Sequence, residues 1–232
     1  MTTYILGLLI SFLAGVWFIY RPPSNRSWIF LFLAAGGAYL MTILFTHILP
    51  ELFEVLDHRA GYVLLIGFLI QIFLENFSKG IEHGHAHGSA SKAALYISFA
   101  ALCLHALIEG MPLASALFSS MIQYDQELTI GIMLHKIPVA ITLVTLLNKS
   151  KVNKRVSTGL LFAFIACTVI GSVLQHYFGS DSEVFMFTSL GLTVGILLHV
   201  STTILFESSD HHKLTPKRVA VIAVGVALGL IS

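Results

Sequence analysis

The sequence predicts an all-α polytopic membrane protein. One transmembrane domain over residues 1–232 would hold eight helices in a 3+2+3 arrangement, with inverted repeats around a central helix pair. Three observations carry that reading. The chain is 56% hydrophobic and 11% charged, with a mean hydropathy of +0.86, whereas a soluble domain carries roughly 25% charged residues. Eight apolar runs approach or exceed the length that crosses the hydrocarbon as a helix, about 17–25 residues. Basic residues sort to alternate links between those runs, as the positive-inside rule requires.

The runs follow in order. Tyr4–Tyr20 lacks a basic leader and ends at Arg21 rather than at a small-residue cleavage site, so it reads as a first span and not as a secretory signal. Trp28–Leu49 is the second, closing on His47-Ile48-Leu49-Pro50-Glu51, and Gly61–Phe77 is the third. Lys92–Phe118, Leu128–Leu147, Val156–Phe178 and Val184–Phe206 follow, and Pro216–Ile231 is the shortest. Odd-numbered links hold Arg21, Arg26, Lys79, Lys92, Lys149, Lys151, Lys154, Arg155, Lys213, Lys217 and Arg218. Even-numbered links hold only Arg59 among basic residues, beside Glu54, Asp57, Asp125, Glu127, Asp181 and Glu183. The odd links, including a His-containing loop over residues 79–91, are therefore cytoplasmic, with both termini outside a cell membrane.

The second and seventh spans share small and aromatic residues around glycines (Gly36 and Gly37; Gly191 and Gly195) and run through the bilayer in opposite senses. That is the signature of an inverted repeat, three spans plus three, flanking the fourth and fifth. The near-zero net charge gives no pointer to nucleic acid. The two cysteines, Cys103 and Cys167, lie inside apolar runs, which argues against a disulfide framework or a Cys-rich zinc module.

The fourth and fifth spans carry ionisable residues where a membrane disfavours them. One reads Cys103-Leu104-His105-Ala106-Leu107-Ile108-Glu109-Gly110-Met111-Pro112, the other Met133-Leu134-His135-Lys136-Ile137-Pro138. An ionisable group at mid-bilayer costs on the order of 3 kcal/mol on insertion scales unless it is paired or wet, so such groups mark ion paths. His105 and Glu109 are four apart and share a helix face. Proline removes a backbone donor, so Pro112 and Pro138 would each leave a carbonyl to face a polar cavity. A lone intramembrane His is more often a helix-packing hydrogen-bond donor; the Glu109 partner and the second helix favour a site. Two imidazoles and a carboxylate suit Zn²⁺ and, less selectively, Fe²⁺, Mn²⁺, Co²⁺ or Cd²⁺. Lys136 would repel a bound dication, so it points to an adjacent pocket or pairs with Glu109 when no metal is bound.

These two segments resemble the ZIP family of metal-ion transporters. The family's fourth span carries His-Asn-x-x-Asp/Glu-Gly, and here His105-Ala106-Leu107-Ile108-Glu109-Gly110 stands in that place. Its fifth span carries His-Glu-x-Pro-His-Glu or a variant, here His135-Lys136-Ile137-Pro138-Val139-Ala140. The end of the second span and the third link, Glu82-His83-Gly84-His85-Ala86-His87-Gly88, are similar to the family too. The resemblance implies eight spans, a homodimer, and alternating access that moves a divalent metal toward the cytoplasm. It also implies two adjacent metals. Here Ala106 replaces the Asn, Lys136 the bridging acid, and Val139 the second His or acid. One ion is therefore expected, held by His105, Glu109 and His135, with the Lys136 ammonium in place of the second.

Other residues extend the path. His47 and Glu51, with Glu54 and Asp57, would gather cations at the outer entrance. His199, inside the seventh span, would line the path or relay protons, or equally hydrogen-bond a neighbouring helix. His83, His85 and His87 would capture metal loosely in the third link. Gln71 and Glu75 would snorkel at the inner end of the third span; Glu207, Asp210, His211 and His212 offer an exit, though His211 and His212 read rather as an exposed loop. Cys167 offers a soft contact.

Three other functions compete. An intramembrane zinc-dependent hydrolase needs an acid or base beside the metal, and no His-Glu-x-x-His run is present. A b-type haem protein ligated by His105 and His135 would hold Glu109 and Lys136 against the iron. A non-transporting metal sensor would use the same ligands as a carrier. The carrier reading makes the chain a non-enzyme without a resident cofactor, whose partners are the lipid bilayer, a second copy and the transported ion.

Overall fold

The computed structural model describes residues 1–23, 27–84, 91–118, 126–179, 182–207 and 215–232, and among them every regular element is helical. We number the helices by span. They are α1 (Thr2–Tyr20), α2 (Ser27–Leu56), α3 (Arg59–Ser78), α4 (Lys92–Phe118), α5 (Gln126–Lys149), α6 (Lys154–Gly179), α7 (Glu183–Glu207) and α8 (Pro216–Ile231). The first seven are long and apolar enough to cross a membrane; α8, at 16 residues, is shorter. The protein is an all-α polytopic membrane protein.

Local chemistry sets the ends. Ser91 caps α4 by accepting from the Ala94 N–H at 3.1 Å. Thr215 caps α8, where Pro216 occupies a first-turn position whose N–H would be unsatisfied anyway. α3 stops at Lys79, which adopts a left-handed φ of 56°, followed by Gly80 at 73°. Arg218 is no free surface charge. Its Nη2 donates to the carbonyls of Ile204 at 2.9 Å and Leu205 at 3.1 Å, satisfying the exposed end of α7.

Two prolines act differently from the sequence expectation. Pro50 does not end α2 near Leu49. The chain widens into a π turn over Leu44–Ile48, with Leu49 N–H bonded to Leu44 O, and the helix continues to Leu56. Pro112 breaks α4 into a 3₁₀ turn over Met111–Leu113 and takes the usual donor from the Ile108 carbonyl. That carbonyl faces no polar cavity: Thr193 of α7 donates to it at 3.0 Å.

The helices assemble as two groups of four. α1 packs on α5 and α6, and α4 packs on α6; in the second group α3 packs on α7, and α2 on α7 and α8. The groups meet along a seam formed by α2 with α5 and α3 with α4. Exchanging α1 with α6, α2 with α7, α3 with α8 and α4 with α5 maps the pairings within each group onto one another, the pattern an inverted repeat produces. The fourth and fifth spans do not pack mainly on each other; each leans on a neighbour, and side chains bridge the space between them. Close approach rests on glycine. A Cβ at Gly67 or Gly195 would collide with the carbonyls of Leu192 or Leu64 across α3 and α7. At Gly110 or Gly171 it would meet Thr168 or Leu107 across α4 and α6. Without a hydrophobic drive inside lipid, such small-residue contacts let backbones pack and hold the groups together.

Candidate metal centre

His105 and Glu109 stand one turn apart on α4 and aim across the gap at His135 of α5. Each of the three offers a ligand atom within 4.8 Å of the others, and all three residues are buried. A tetrahedral zinc site brings ligand atoms to about 3.3–3.5 Å from one another, so small side-chain rotations close the set. The rings of His105 and His135 lie 6.3 Å apart, centroid to centroid. His105 Nε2, Glu109 Oε1 and both ring nitrogens of His135 have no hydrogen-bond partner among the described residues. Buried polar atoms are ordinarily paired, and unpaired ones ask for a ligand or a function.

Lys136 is also buried and donates from Nζ to Glu109 Oε2 at 2.7 Å. The ammonium sits 4.9 Å from the centroid of the Phe164 ring on α6, a cation–π contact. One carboxylate oxygen is thus committed to Lys136, and Oε1 remains for an ion. The neighbouring Ala106, Val139 and Ala140 are buried and apolar, offering no ligand to a second cation. The thiols of Cys103 and Cys167 meet between α4 and α6 and belong to neither group of metal-capable side chains among the described residues.

A second constellation lies beside the seam, near the Lys79 end of α3. His83 Nε2 is 3.2 Å from Glu75 Oε1, and His199 Nδ1 is 3.4 Å from Glu75 Oε2. Ligand atoms of these three residues also fall within 4.8 Å of one another. The sequence reading treats the three separately. His83 is not part of a loose loop: it ends a 3₁₀ turn, Ile81–His83, that tucks inside the bundle, and it is fully buried. Glu82 beside it is buried and accepts from Ser78 Oγ at 2.7 Å. His199 packs edge-on against Phe68, with centroids 4.9 Å apart. An open cleft of about 790 Å³ runs past Glu75, Asn76 and Lys79.

Gln71 and Glu75 do not snorkel. Gln71 is fully buried and its Oε1 lies 2.9 Å from His105 Nδ1; Glu75 turns inward to His83 and His199. The signal for this was present as two polar residues four apart in an apolar span. His47 lies in the π turn of α2, exposed, with Nδ1 2.8 Å from Thr46 Oγ1. Glu51 is half-buried, and neither joins a three-residue metal group among the described residues. Asp57, also at that end, is held below the ordinary carboxylate range by the hydrogen bond from His58. His85, His87, Asp210, His211 and His212 lie outside the described residues, as does the side chain of Glu207.

Residues 81–232 match a family model described as ZIP zinc transporter. Comparison with curated proteins finds no match.

Proposed function

The chain belongs to the ZIP zinc transporter family, and from that premise we propose how this multi-pass membrane metal-ion transporter handles its cargo. It binds one divalent transition-metal ion, Zn²⁺ foremost, between His105, Glu109 and His135. The observation that carries this reading is the convergence of three buried ligand atoms with unpaired valences across the α4–α5 gap. Two nitrogens and an oxygen leave a fourth position for water or an incoming ligand, as an exchangeable site needs. Lys136 supplies the charge that a second ion would otherwise bring. It neutralises Glu109 in the empty carrier and limits the site to one cation.

Release runs through Glu75, His83 and His199, which stand toward the cytoplasm when the basic links are placed inside. The group of α1, α4, α5 and α6 moves against that of α2, α3, α7 and α8, exposing the ion to each side in turn. Both termini lie outside, and the protein works as a homodimer. Fe²⁺, Mn²⁺, Co²⁺ and Cd²⁺ fit the same donors with less selectivity.

The test is uptake into proteoliposomes across this panel of ions, with His105→Ala and Glu109→Ala as controls. Saturable Zn²⁺ uptake that both variants abolish supports the reading. Uptake unaffected by either variant overturns it.

A further inference from the structure

Gln71, on α3, reaches across the seam and hydrogen-bonds to the His105 ring of the His105–Glu109–His135 set. The amide is fully buried, and its Nε2 has no hydrogen-bond partner among the described residues. A buried amide left half-satisfied carries a stability cost. Its oxygen does have a task. With Oε1 2.9 Å from His105 Nδ1, the amide accepts the Nδ1 proton and leaves Nε2 bare. Nε2 is the nitrogen that faces Glu109 Oε2, 4.0 Å away. A metal-binding imidazole takes its orientation and basicity from the acceptor on its other nitrogen.

We propose that Gln71 is a positioning residue for His105, and that because it reaches across the seam it ties the strength of the His105 ligand to the register of α3 against α4. In the arrangement seen here His105 is held in its metal-ready tautomer. When the helix groups shift, the hydrogen bond is broken, the ring is freed, and the ion is held less tightly. The site thereby loosens as it moves. This proposal rests on the assignment of His105 as a ligand.

The experiment uses the purified full-length protein and Zn²⁺ as probe, with affinity from competition against a chelator and initial rates from proteoliposomes. His105→Ala, Gln71→Leu and Gln71→Glu are compared, each required to elute as folded protein in detergent. Gln71→Leu is expected to bind Zn²⁺ roughly 10–100-fold more weakly. Gln71→Glu places a stronger acceptor on Nδ1, so it should bind at least as tightly as the parent with a reduced maximal rate. A merely structural role would move both variants in the same direction. Parent-like affinity in Gln71→Leu, or equal weakening in both Gln71 variants, overturns the role of Gln71 while His105→Ala still weakens binding about 100-fold. Undiminished binding in His105→Ala overturns the ligand assignment itself, and the proposal with it.

Discussion

Lys136 Nζ donates to Glu109 Oε2 at 2.7 Å, and both side chains are buried. Removing one partner of a buried pair leaves the other charge uncompensated, which costs about 3–5 kcal/mol. Lys136→Met should therefore lower the melting temperature of the metal-free protein sharply. Zn²⁺ should restore most of the loss, because the ion then neutralises Glu109. Thermal unfolding with and without Zn²⁺ checks this, and a variant as stable as the parent without metal would contradict it. In the parent, titration should give one tightly bound ion between α4 and α5; two would show that Lys136 does not stand in for a cation.

Alanine at each ligand should weaken binding by amounts that can be bracketed. Structural zinc sites with four ligands bind with roughly 10–16 kcal/mol, so one ligand is worth about 3 kcal/mol, near 100-fold in affinity. His105→Ala, Glu109→Ala and His135→Ala should each show a loss of that order in chelator competition. Glu109→Ala has a second effect, since it strands Lys136 in an apolar pocket. Glu109→Gln separates the two: it keeps a hydrogen-bond acceptor for the ammonium while removing the ligand charge.

The sequence made the spans legible because hydropathy and charge sorting are properties of whole segments. It also exposed His105, Glu109, His135 and Lys136, since ionisable residues in apolar runs stand out. The ligand role of the first three stays a proposal; their convergence is geometry. Gln71 and Glu75 were legible as polar residues but not as partners. Which neighbour a side chain meets depends on helix rotation and on the four-plus-four grouping, and neither follows from segment composition. The burial of His83 was hidden for a different reason. A short polar stretch between spans reads as a loop, and only the left-handed turn at Lys79 and Gly80 folds Ile81–His83 back inside. The π turn at Leu44–Ile48 escaped because a proline inside an apolar run reads as a boundary.

Acid should weaken both binding and uptake. Imidazole and carboxylate coordinate metal only when deprotonated, so protons compete with the ion and affinity falls as pH falls. Between about pH 7.5 and 5, with equal pH on both faces of the proteoliposome, the Zn²⁺ concentration for half-maximal uptake should rise. Measuring binding in parallel shows whether the effect lies at the site. Uptake and affinity that stay constant over this range would argue against histidine ligands.

The Glu75–His83–His199 constellation predicts a different kinetic signature. Glu75, His83 and His199 lie apart from the α4–α5 gap, so altering them should leave the affinity of the first site nearly intact. Glu75→Gln and His199→Ala should instead lower the maximal rate several-fold, because the ion loses its next set of donors. His83→Ala belongs to the same class, with some stability lost as a fully buried ring is removed. A His85→Ala/His87→Ala double variant provides the comparison for the link. Rate losses confined to that double variant, with Glu75→Gln and His199→Ala transporting as the parent does, would remove the Glu75–His83–His199 constellation from the path.

Packing of α4 against α6 sets the position of the ligands. α4 is held against α6 by direct backbone approach, and a Cβ at Gly171 would collide with the Leu107 carbonyl. Leu107 lies between His105 and Glu109 on the same helix, so a side chain there must push the ligand-bearing turn away from α6. Overpacking of this kind costs about 1–3 kcal/mol when the neighbour can shift, and here the neighbour is backbone. Gly171→Leu should lower the melting temperature and weaken Zn²⁺ binding together, although residue 171 touches no ligand directly. Gly159→Ala supplies the control on the same helix: a Cβ there meets nothing within 4 Å, so binding should match the parent and stability should equal or slightly exceed it. If Gly171→Leu lost stability but bound Zn²⁺ as the parent does, the α4–α6 contact would serve the fold alone and would not position the site.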